Sequence, residues 1–184
     1  MDKQKELEKV IYNLLKLTGD NPDREGLLET PKRVAKAFEF WTSGYTKNPK
    51  DVMKSFNVKY DEIVVVKNID FYSMCEHHLA PFYGQISIGY LPSGKVLGVS
   101  KFARLVEIYA RRFQIQERLT QQIADAIMKY LKPQGVGVVC RGIHLCMRSR
   151  GVEKQNSEMI TSVMLGKFRR QDRTKEEFMK LLGL

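Results

Sequence analysis

Long hydrophobic runs are missing from this sequence, and none of its apolar stretches approaches the roughly 18 residues that a membrane-spanning helix needs. Residues 1–6 also lack the apolar core of a secretory signal peptide. Cysteine is scarce as well: three residues among 184 do not suit a framework of disulfide bonds and fit a reducing compartment. We therefore expect a cytoplasmic protein with no membrane partner.

Acidic residues are too few to balance the basic ones. The 31 lysines and arginines exceed the 21 aspartates and glutamates, which gives a formal net charge of +10 at pH 7. Such a surplus concentrates anions near the protein, whether nucleic acid, acidic membrane or a phosphorylated small molecule. The aromatic residues do not alternate with the basic ones as a base-stacking platform would require. The composition therefore favours a pocket for a polyanionic small molecule over a nucleic-acid partner.

The pattern of apolar residues divides the chain into a helical N-terminal part and a mixed remainder. Helical spacing over 3–18 predicts one helix, and Thr30-Pro31 predicts the start of another, with Thr30 as its N-cap. We therefore predict a helical arm over 1–55. Residues 56–184 contain strands and helices in the order of an α+β domain.

The elements predicted for this second part follow from β-branched runs, alternating patterns and capping residues. Strands are predicted at 63–66, 82–91, 95–99, 135–145 and 157–165, and helices from Ser100, from Gln116 and from Thr174. The turn Pro92-Ser93-Gly94 predicts a β-hairpin between the second and third of these strands. Ser100 is predicted to cap its helix, and Thr174 is predicted to form a capping box with Glu177.

Histidine and cysteine are concentrated rather than scattered. All three histidines and two of the three cysteines fall within Cys75-Glu76-His77-His78 and His144-Leu145-Cys146. A borderline-soft ion such as zinc favours thiolate sulfur and imidazole nitrogen, and a catalytic zinc keeps three protein ligands and a water. Cys75, His78 and Cys146 would supply such a triad. The two segments therefore predict one open zinc site.

The other two histidines lie beside this triad. His77 would stay unligated, because neighbours in sequence rarely point at the same ion. If 144–146 is a strand, His144 faces the same side as Cys146 and becomes a candidate for proton transfer. A closed structural zinc with His77 or His144 as fourth ligand remains an alternative, as does a chain without metal. Cys140 ends an apolar run and is predicted to be a buried small hydrophobe.

Basic residues near these segments are candidates for binding anions. Ser100 and Lys101 are predicted at a helix N-terminus with Arg104 one turn further on, where N–H groups and two cations could cradle a phosphate. Solvation of an ordinary helix start is the alternative explanation. Arg148 and Arg150 would project together from an extended segment, and arginines so close to a zinc ligand suggest an anionic substrate.

The helix predicted from Gln116 begins with Gln116-Glu117. A carboxylate at that place can simply balance the helix dipole. A buried carboxylate could instead accept paired hydrogen bonds from a guanine or pterin edge. Both explanations remain open from the residues alone.

Several motifs, in order and with compatible spacing, resemble those of the GTP cyclohydrolase I family. They are Cys75-Glu76-His77-His78-Leu79-Ala80-Pro81-Phe82, Gly98-Val99-Ser100-Lys101-Phe102-Ala103-Arg104, Gln114-Ile115-Gln116-Glu117-Arg118-Leu119-Thr120, and His144-Leu145-Cys146-Met147 with Arg150-Gly151. The resemblance extends from Asp23-Arg24-Glu25-Gly26-Leu27 to Gly166-Lys167-Phe168. It implies a zinc-dependent hydrolase that converts GTP to 7,8-dihydroneopterin triphosphate and formate, the first step of tetrahydrofolate synthesis.

The resemblance also implies a fold and an assembly. The family's tunnelling fold has an antiparallel four-stranded sheet with two helices, preceded by a helical N-terminal arm. Sheets from several subunits join into a barrel, and two stacked pentamers form a toroidal homodecamer. Active sites lie between subunits, so a monomer would be inactive.

Roles for individual residues follow from the same resemblance. Cys75, His78 and Cys146 would bind zinc, which makes hydroxide available for attack on C8 of guanine. His144 would donate a proton to the imidazole ring of guanine, and His77 would assist ring opening. The substrate would be bound by Gln116 and Glu117 at its guanine edge, by Ser100, Lys101, Arg104 and Arg150 at its ribose and triphosphate, and there also by Arg33 and Lys36 of a neighbouring subunit.

Two positions depart from the family pattern: Arg141 stands where an acidic residue is usual, and Met159 where threonine is usual. Arg141 could pair with an acid on a neighbouring subunit. Two other functions stay open as hypotheses. One is a purine or pterin hydrolase of the same fold that opens the ring without completing the pterin. The other is a zinc-stabilised nucleic-acid-binding module, although the sequence lacks the paired Cys-x-x-Cys or His-x-x-x-His knuckle of such modules.

Overall fold

The computed structural model describes residues 2–184, which divide between Ser43 and Gly44 into two compact units, an N-terminal unit and a second unit. The predicted arm of 1–55 extends past the end of the N-terminal unit and includes two short 3₁₀ helices, at Ser43–Thr46 and Pro49–Val52. Over the described residues, no helix combines the length and the apolar character that crossing a membrane would need.

The N-terminal unit contains two helices, α1 at Lys3–Leu17 and α2 at Thr30–Trp41. The Asp2 carboxylate accepts a hydrogen bond from the backbone N–H of Gln4 at 3.2 Å, which caps α1. Pro31 lies in the first turn of α2, where its missing N–H costs nothing. The prediction that Thr30 is the N-cap is wrong, because Thr30 is already helical and Glu29 holds the cap position without a side-chain hydrogen bond.

The second unit is built from seven strands and five α-helices within the described residues. The strands are β1 Ser55–Asn57, β2 Val64–Cys75, β3 Pro81–Leu91, β4 Lys95–Leu97, β5 Phe113–Gln114, β6 Gly135–His144 and β7 Met159–Gly166. The helices are α3 Val99–Ala110, α4 Gln116–Leu131, α5 Leu145–Arg148, α6 Lys167–Arg170 and α7 Asp172–Leu182. This composition confirms the predicted α+β class.

The main sheet has the strand order β5-β2-β3-β6-β7. Its four long strands are all antiparallel to their neighbours. The fifth strand, β5, is only two residues long and pairs in parallel with the end of β2. The sheet thus has one short strand more than the predicted four. That strand comes directly before α4 and ties the start of this helix to the end of β2.

The main core lies between one face of this sheet and the helices α3 and α4. Phe71, Phe82 and Ile86 of the sheet are fully buried together with Leu105 of α3 and Leu119 of α4. The apolar stripes of both helices, predicted from their spacing, are therefore core. Near the other ends of β3 and β6, the opposite face of the sheet is covered by Phe168 and Phe178 of α6 and α7.

The predicted β-hairpin is wrong. The strand β4 pairs with β1, in the register Ser55 to Leu97, and not with β3. Both edges of β3 are already occupied by the long strands β2 and β6, so the chain after the turn must find another partner. The helix α3 begins at Val99 behind Gly98, and Ser100 is therefore not its cap.

Two further predictions at element ends are wrong. The strand β6 ends at His144, and Cys146 lies in the short helix α5, so 144–146 is not a strand. The helix α7 begins at Asp172, and the Thr174 hydroxyl donates to the Gln171 side chain at 3.1 Å instead of forming a capping box. In both places an earlier helix start replaces the predicted local conformation.

Candidate active site

Three potential metal ligands meet at one end of the main sheet, where β2 and β6 finish and β3 begins. The ligand atoms of Cys75, His78 and Cys146 all lie within 4.8 Å of one another. The Sγ of Cys75 is 3.6 Å from the Nδ1 of His78. In a tetrahedral zinc site with Zn–S of about 2.3 Å and Zn–N of about 2.0 Å, neighbouring ligand atoms are about 3.5 Å apart. The geometry therefore fits zinc.

Strand pairing explains why ligands about seventy residues apart in sequence come together. The end of β2 and the end of β6 both lie beside the beginning of β3, since Met74 pairs with Pro81 and His144 with Phe82. Because β2 and β6 are both antiparallel to β3, the two motifs come to the same end of the sheet.

The segment after Cys75 is a closed turn. The N–H of Cys75 donates to the carbonyl oxygen of Ala80 at 2.8 Å, and the N–H of Leu79 donates to that of Cys75 at 2.9 Å. Leu79 has a φ of 50°, a left-handed conformation that is uncommon for a residue other than glycine. The turn places His78 where its ring nitrogen can face the two thiols.

The two cysteines form an electrostatically costly pair without a cation. Burial, followed by the neighbouring Cys75, raises the pKa of the Cys146 thiol. Two thiolates at this distance repel each other, and a divalent cation between them removes that repulsion. The donor set is therefore chemically suited to a metal ion.

An ion pair connects the metal-binding turn to α4. The Arg118 guanidinium donates to both carboxylate oxygens of Glu76, at 2.5 and 2.8 Å. The hydrogen bond from Arg118 is the main cause that holds the pKa of Glu76 below its ordinary value. His77, between Glu76 and His78, is exposed, and its Nε2 lies 3.8 Å from the Glu76 carboxylate. The sequence offered no specific signal for the Glu76–Arg118 pair.

His144 is half-buried and held on two sides. Its ring stacks on that of Phe82, with centroids 4.6 Å apart and planes at 8°. Its Nε2 lies 2.9 Å from the Oε1 of Gln116. Burial lowers the pKa of His144, while the negative charge of Glu117 acts in the opposite direction. The premise that His144 and Cys146 lie on one strand is wrong, but both residues lie at the same end of the sheet.

The Gln116 side chain is fully buried. Its amide nitrogen lies within hydrogen-bond distance of the carbonyl oxygens of Cys140 and Met159 and of the Thr161 hydroxyl. Together with the contact between its amide oxygen and His144, both polar atoms of this side chain have protein partners. Glu117, the next residue, is exposed on the first turn of α4.

The predicted anion-binding residues of the second unit are largely accessible. Ser100, Arg104 and Arg150 are exposed, and Lys101 is partly buried in the first turn of α3. Within residues 2–184, Lys101, Arg104 and Arg150 form no salt bridge with an acidic residue. Their positive charges are therefore available to an external anion.

Arg148 does not project from an extended segment with Arg150, contrary to the prediction. It ends the helix α5, and its guanidinium donates to the carbonyl oxygen of Ser157 at 3.0 Å. Arg33 and Lys36 both lie exposed on α2 of the N-terminal unit. There the guanidinium of Arg33 donates to the Thr30 hydroxyl at 3.1 Å.

Arg141 has a partner in its own chain, because its Nε lies 3.7 Å from the Glu158 carboxylate. The two residues border a cavity of about 410 Å³ on the sheet face opposite α3 and α4, next to the stacked rings of Tyr72 and Tyr83. The acid proposed for Arg141 on a neighbouring subunit is therefore not needed to balance its charge.

Comparison with known proteins agrees with this architecture. The family model described as GTP cyclohydrolase I matches residues 7–183. GTP cyclohydrolase 1 of Pseudoalteromonas atlantica is 56% identical over 172 residues, which cover 92% of this chain and 94% of that protein. The Wolinella succinogenes protein of the same name is 53% identical over 180 residues, which cover 97% of this chain and 96% of that protein.

The human GTP cyclohydrolase 1 is 55% identical over 172 residues, which cover 92% of this chain and 69% of that protein. The residues that the family model matches include both segments that contain the histidines and the potential metal ligands. The chain therefore belongs to the GTP cyclohydrolase I family of enzymes.

Proposed function

We propose that this enzyme converts GTP to 7,8-dihydroneopterin triphosphate and formate in a zinc-dependent reaction, as the first step of tetrahydrofolate synthesis in the cytoplasm. The observation that carries the proposal is the cluster of Cys75, His78 and Cys146, with the unligated His144 at the same end of the sheet. Three ligands leave the fourth position of a tetrahedral ion open, which is typical of catalytic zinc.

Cys75, His78 and Cys146 would hold the zinc ion. When bound, zinc supplies Lewis acidity and makes water nucleophilic near neutral pH. The closed turn from Cys75 to Ala80 and the start of α5 fix the directions from which the ligands approach.

His144 would transfer a proton to the imidazole ring of guanine. Burial lowers the pKa of His144, and histidine is the side chain that most often transfers protons in enzymes. His77, exposed one residue before the ligand His78, would assist ring opening. Glu117 would accept the paired N–H groups of the guanine edge through its exposed carboxylate.

Ser100, Lys101, Arg104 and Arg150 would bind the ribose and triphosphate. Within residues 2–184, Lys101, Arg104 and Arg150 have no ion-pair partner, which supports this role. Charge-assisted hydrogen bonds to phosphate are the strong ones, and several are needed for a tetra-anion. Arg33 and Lys36 would join them from a neighbouring subunit.

The assembly we propose is a homodecamer of the tunnelling fold. Two features support association through the sheet. Among the described residues, the strand β7 is paired on one side only, and β2 has a second neighbour only at Met74 and Cys75. Open strand edges of this length are templates for pairing with another copy.

The test is to measure formate and neopterin release from GTP by purified protein. Zinc-loaded protein should release both, chelated protein neither, and added zinc should restore the activity. Cys146→Ala should abolish release, while Cys140→Ala, which removes a thiol outside the cluster, should retain most of it. An endpoint at the opened formamidopyrimidine would support the alternative hydrolase instead. Salt-dependent oligonucleotide binding without GTP turnover would support the nucleic-acid module.

A further inference from the structure

Gln116 is a buried amide whose orientation can be worked out from its neighbours. Its nitrogen faces two backbone carbonyl oxygens, those of Cys140 at 3.1 Å and Met159 at 2.9 Å. Carbonyl oxygens only accept hydrogen bonds, so the NH₂ group and not the amide oxygen must face them. The Thr161 hydroxyl, 3.2 Å from the same nitrogen, is compatible with this orientation.

In this orientation the amide oxygen of Gln116 faces His144. The Oε1 atom lies 2.9 Å from the Nε2 of the imidazole. An amide oxygen cannot donate, so Nε2 of His144 must carry the proton of this hydrogen bond. The neutral ring is therefore the Nε2–H tautomer, with its lone pair on Nδ1. Within residues 2–184, no hydrogen bond to this Nδ1 is present.

The surroundings leave little room for a different arrangement. The Phe82 ring lies against the imidazole and restricts its tilt. Gly142 lies beneath the amide, and a Cβ at this position would collide with the Gln116 oxygen. The Thr120 hydroxyl donates to the Gln116 carbonyl oxygen at 2.7 Å and also contacts Thr161, which fixes the base of the side chain.

We infer that Gln116 is a positioning residue that holds His144 as the Nε2–H tautomer, so that Nδ1 is the nitrogen that exchanges a proton with the substrate. This inference rests on the catalytic role of His144 proposed above. It gives a reason for a fully buried glutamine at the start of α4. Because Nε2–H stays bonded to Gln116 whether the ring is neutral or protonated, Nδ1 alone can take up a proton from water and pass it to the guanine ring.

The direct test is the tautomer of His144 in the zinc-loaded enzyme. Magic-angle-spinning NMR of protein labelled with ¹³C and ¹⁵N in histidine needs to resolve only three rings. Comparison with His144→Ala assigns the signal. At about pH 8, where an imidazole of ordinary or lowered pKa is neutral, we expect the proton on Nε2. A proton on Nδ1 of the neutral ring would overturn the inference, whatever the variants do.

The second test removes the acceptor. Gln116→Met keeps the approximate shape and should give a mixture of tautomers, with kcat lowered roughly 10- to 100-fold and KM changed by less than about threefold. Gly142→Ala should act in the same direction, because it displaces the amide oxygen without altering Gln116. Unchanged tautomer populations in a folded Gln116→Met variant would overturn the inference, even if kcat fell.

Gln114→Met is the matched control. Gln114 is 1% exposed, and its amide donates to the Tyr109 carbonyl oxygen and to the Gln122 side chain, not to a histidine. It should leave the His144 tautomer unchanged and kcat within about threefold, because no proton-transfer group depends on it. Equal losses of kcat in both variants would indicate a general packing effect and overturn the inference. Wild-type enzyme that releases no formate from GTP would instead defeat the proposed function, while the tautomer could still be measured.

Discussion

At the scale of single residues, the three cysteines have different chemical environments. Cys140 is wholly buried, and burial raises the pKa of its thiol to about 12, although contacts with Thr120 and Thr161 oppose the shift. Because the thiolate is the reactive form, this thiol should be inert at neutral and mildly alkaline pH. Cys75 and Cys146 belong instead to the cluster that fits a metal.

Thiol alkylation should therefore follow metal loading. With zinc bound at about pH 8, we expect iodoacetamide to modify none of the three cysteines in the folded protein. Chelation should expose Cys146 first and then Cys75, which is more deeply buried. Cys140 should react only after unfolding in denaturant. Peptide mass spectrometry gives the extent of modification at each position, and rapid labelling of Cys140 in the folded protein would contradict its assigned environment.

The metal triad was predictable from the sequence because few residue types can bind zinc and these were clustered in two segments. The role of Gln116 was not predictable in the same way. Whether its side chain points to the substrate or into the protein depends on the register of β6 and β7 beside α4, which a helix pattern does not specify. The stacking of Phe82 on His144 likewise follows from the pairing of β3 with β6.

At the scale of elements, the link between the metal-binding turn and α4 is the pair Glu76–Arg118. The pair is partly exposed, so it should add little to the free energy of unfolding. Its effect should instead fall on the metal, since groups that orient ligands change zinc affinity by about 10- to 100-fold. We therefore expect Arg118→Gln to weaken zinc binding by roughly tenfold.

A competition titration against a chromogenic chelator measures this change. Arg24→Gln is the matched control, because Arg24 forms a similar two-point contact with Asp20 on the N-terminal unit. That variant should bind zinc like the wild type. Equal zinc affinity in all three proteins would show that the Glu76–Arg118 pair does not orient the ligands.

The packing of α7 on the sheet depends on glycines in β3 and β6. Gly89 pairs with Gly137, and both lie under the Phe178 ring. A Cβ at Gly137 would come within 2.6 Å of that ring, closer than van der Waals contact allows. Gly137→Ala should therefore lower the free energy of unfolding by about 1–3 kcal/mol, as overpacking of a core does.

Urea unfolding followed by circular dichroism measures the effect. Gly26→Ala serves as control, because a Cβ there meets only the Nη1 atom at the end of the Arg24 side chain, at 3.0 Å. A loss at Gly137 no larger than at Gly26 would mean that Phe178 moves aside without cost. The sequence could not indicate this contact, since glycines in a strand are equally consistent with a bulge or with a close approach.

At the scale of the whole molecule, the α+β class was predictable and the strand pairing was not. Binary patterns located β3, β6 and β7 to within two residues, but the strand predicted at 63–66 covers only the start of β2, which continues to Cys75. The partner of β4 depended on which edges of the sheet were already occupied, and that is a property of the complete fold. Which strand edges stay open, those of β2 and β7, is likewise a property of the complete fold.

Subunit complementation tests the proposal that active sites lie between copies. A variant with Arg33→Ala and Lys36→Ala would lack the cations of α2, and His144→Ala would lack the proton-transfer group, so each should be nearly inactive alone. Co-expression in equal amounts should yield mixed oligomers with about a quarter of the wild-type activity, because each composite site draws its two parts at random. Activity is measured as formate release, with the mixing ratio established by mass spectrometry. If each site were formed within one chain, mixed oligomers would be no more active than the two parents, and α2 would then have to act on the metal centre of its own subunit.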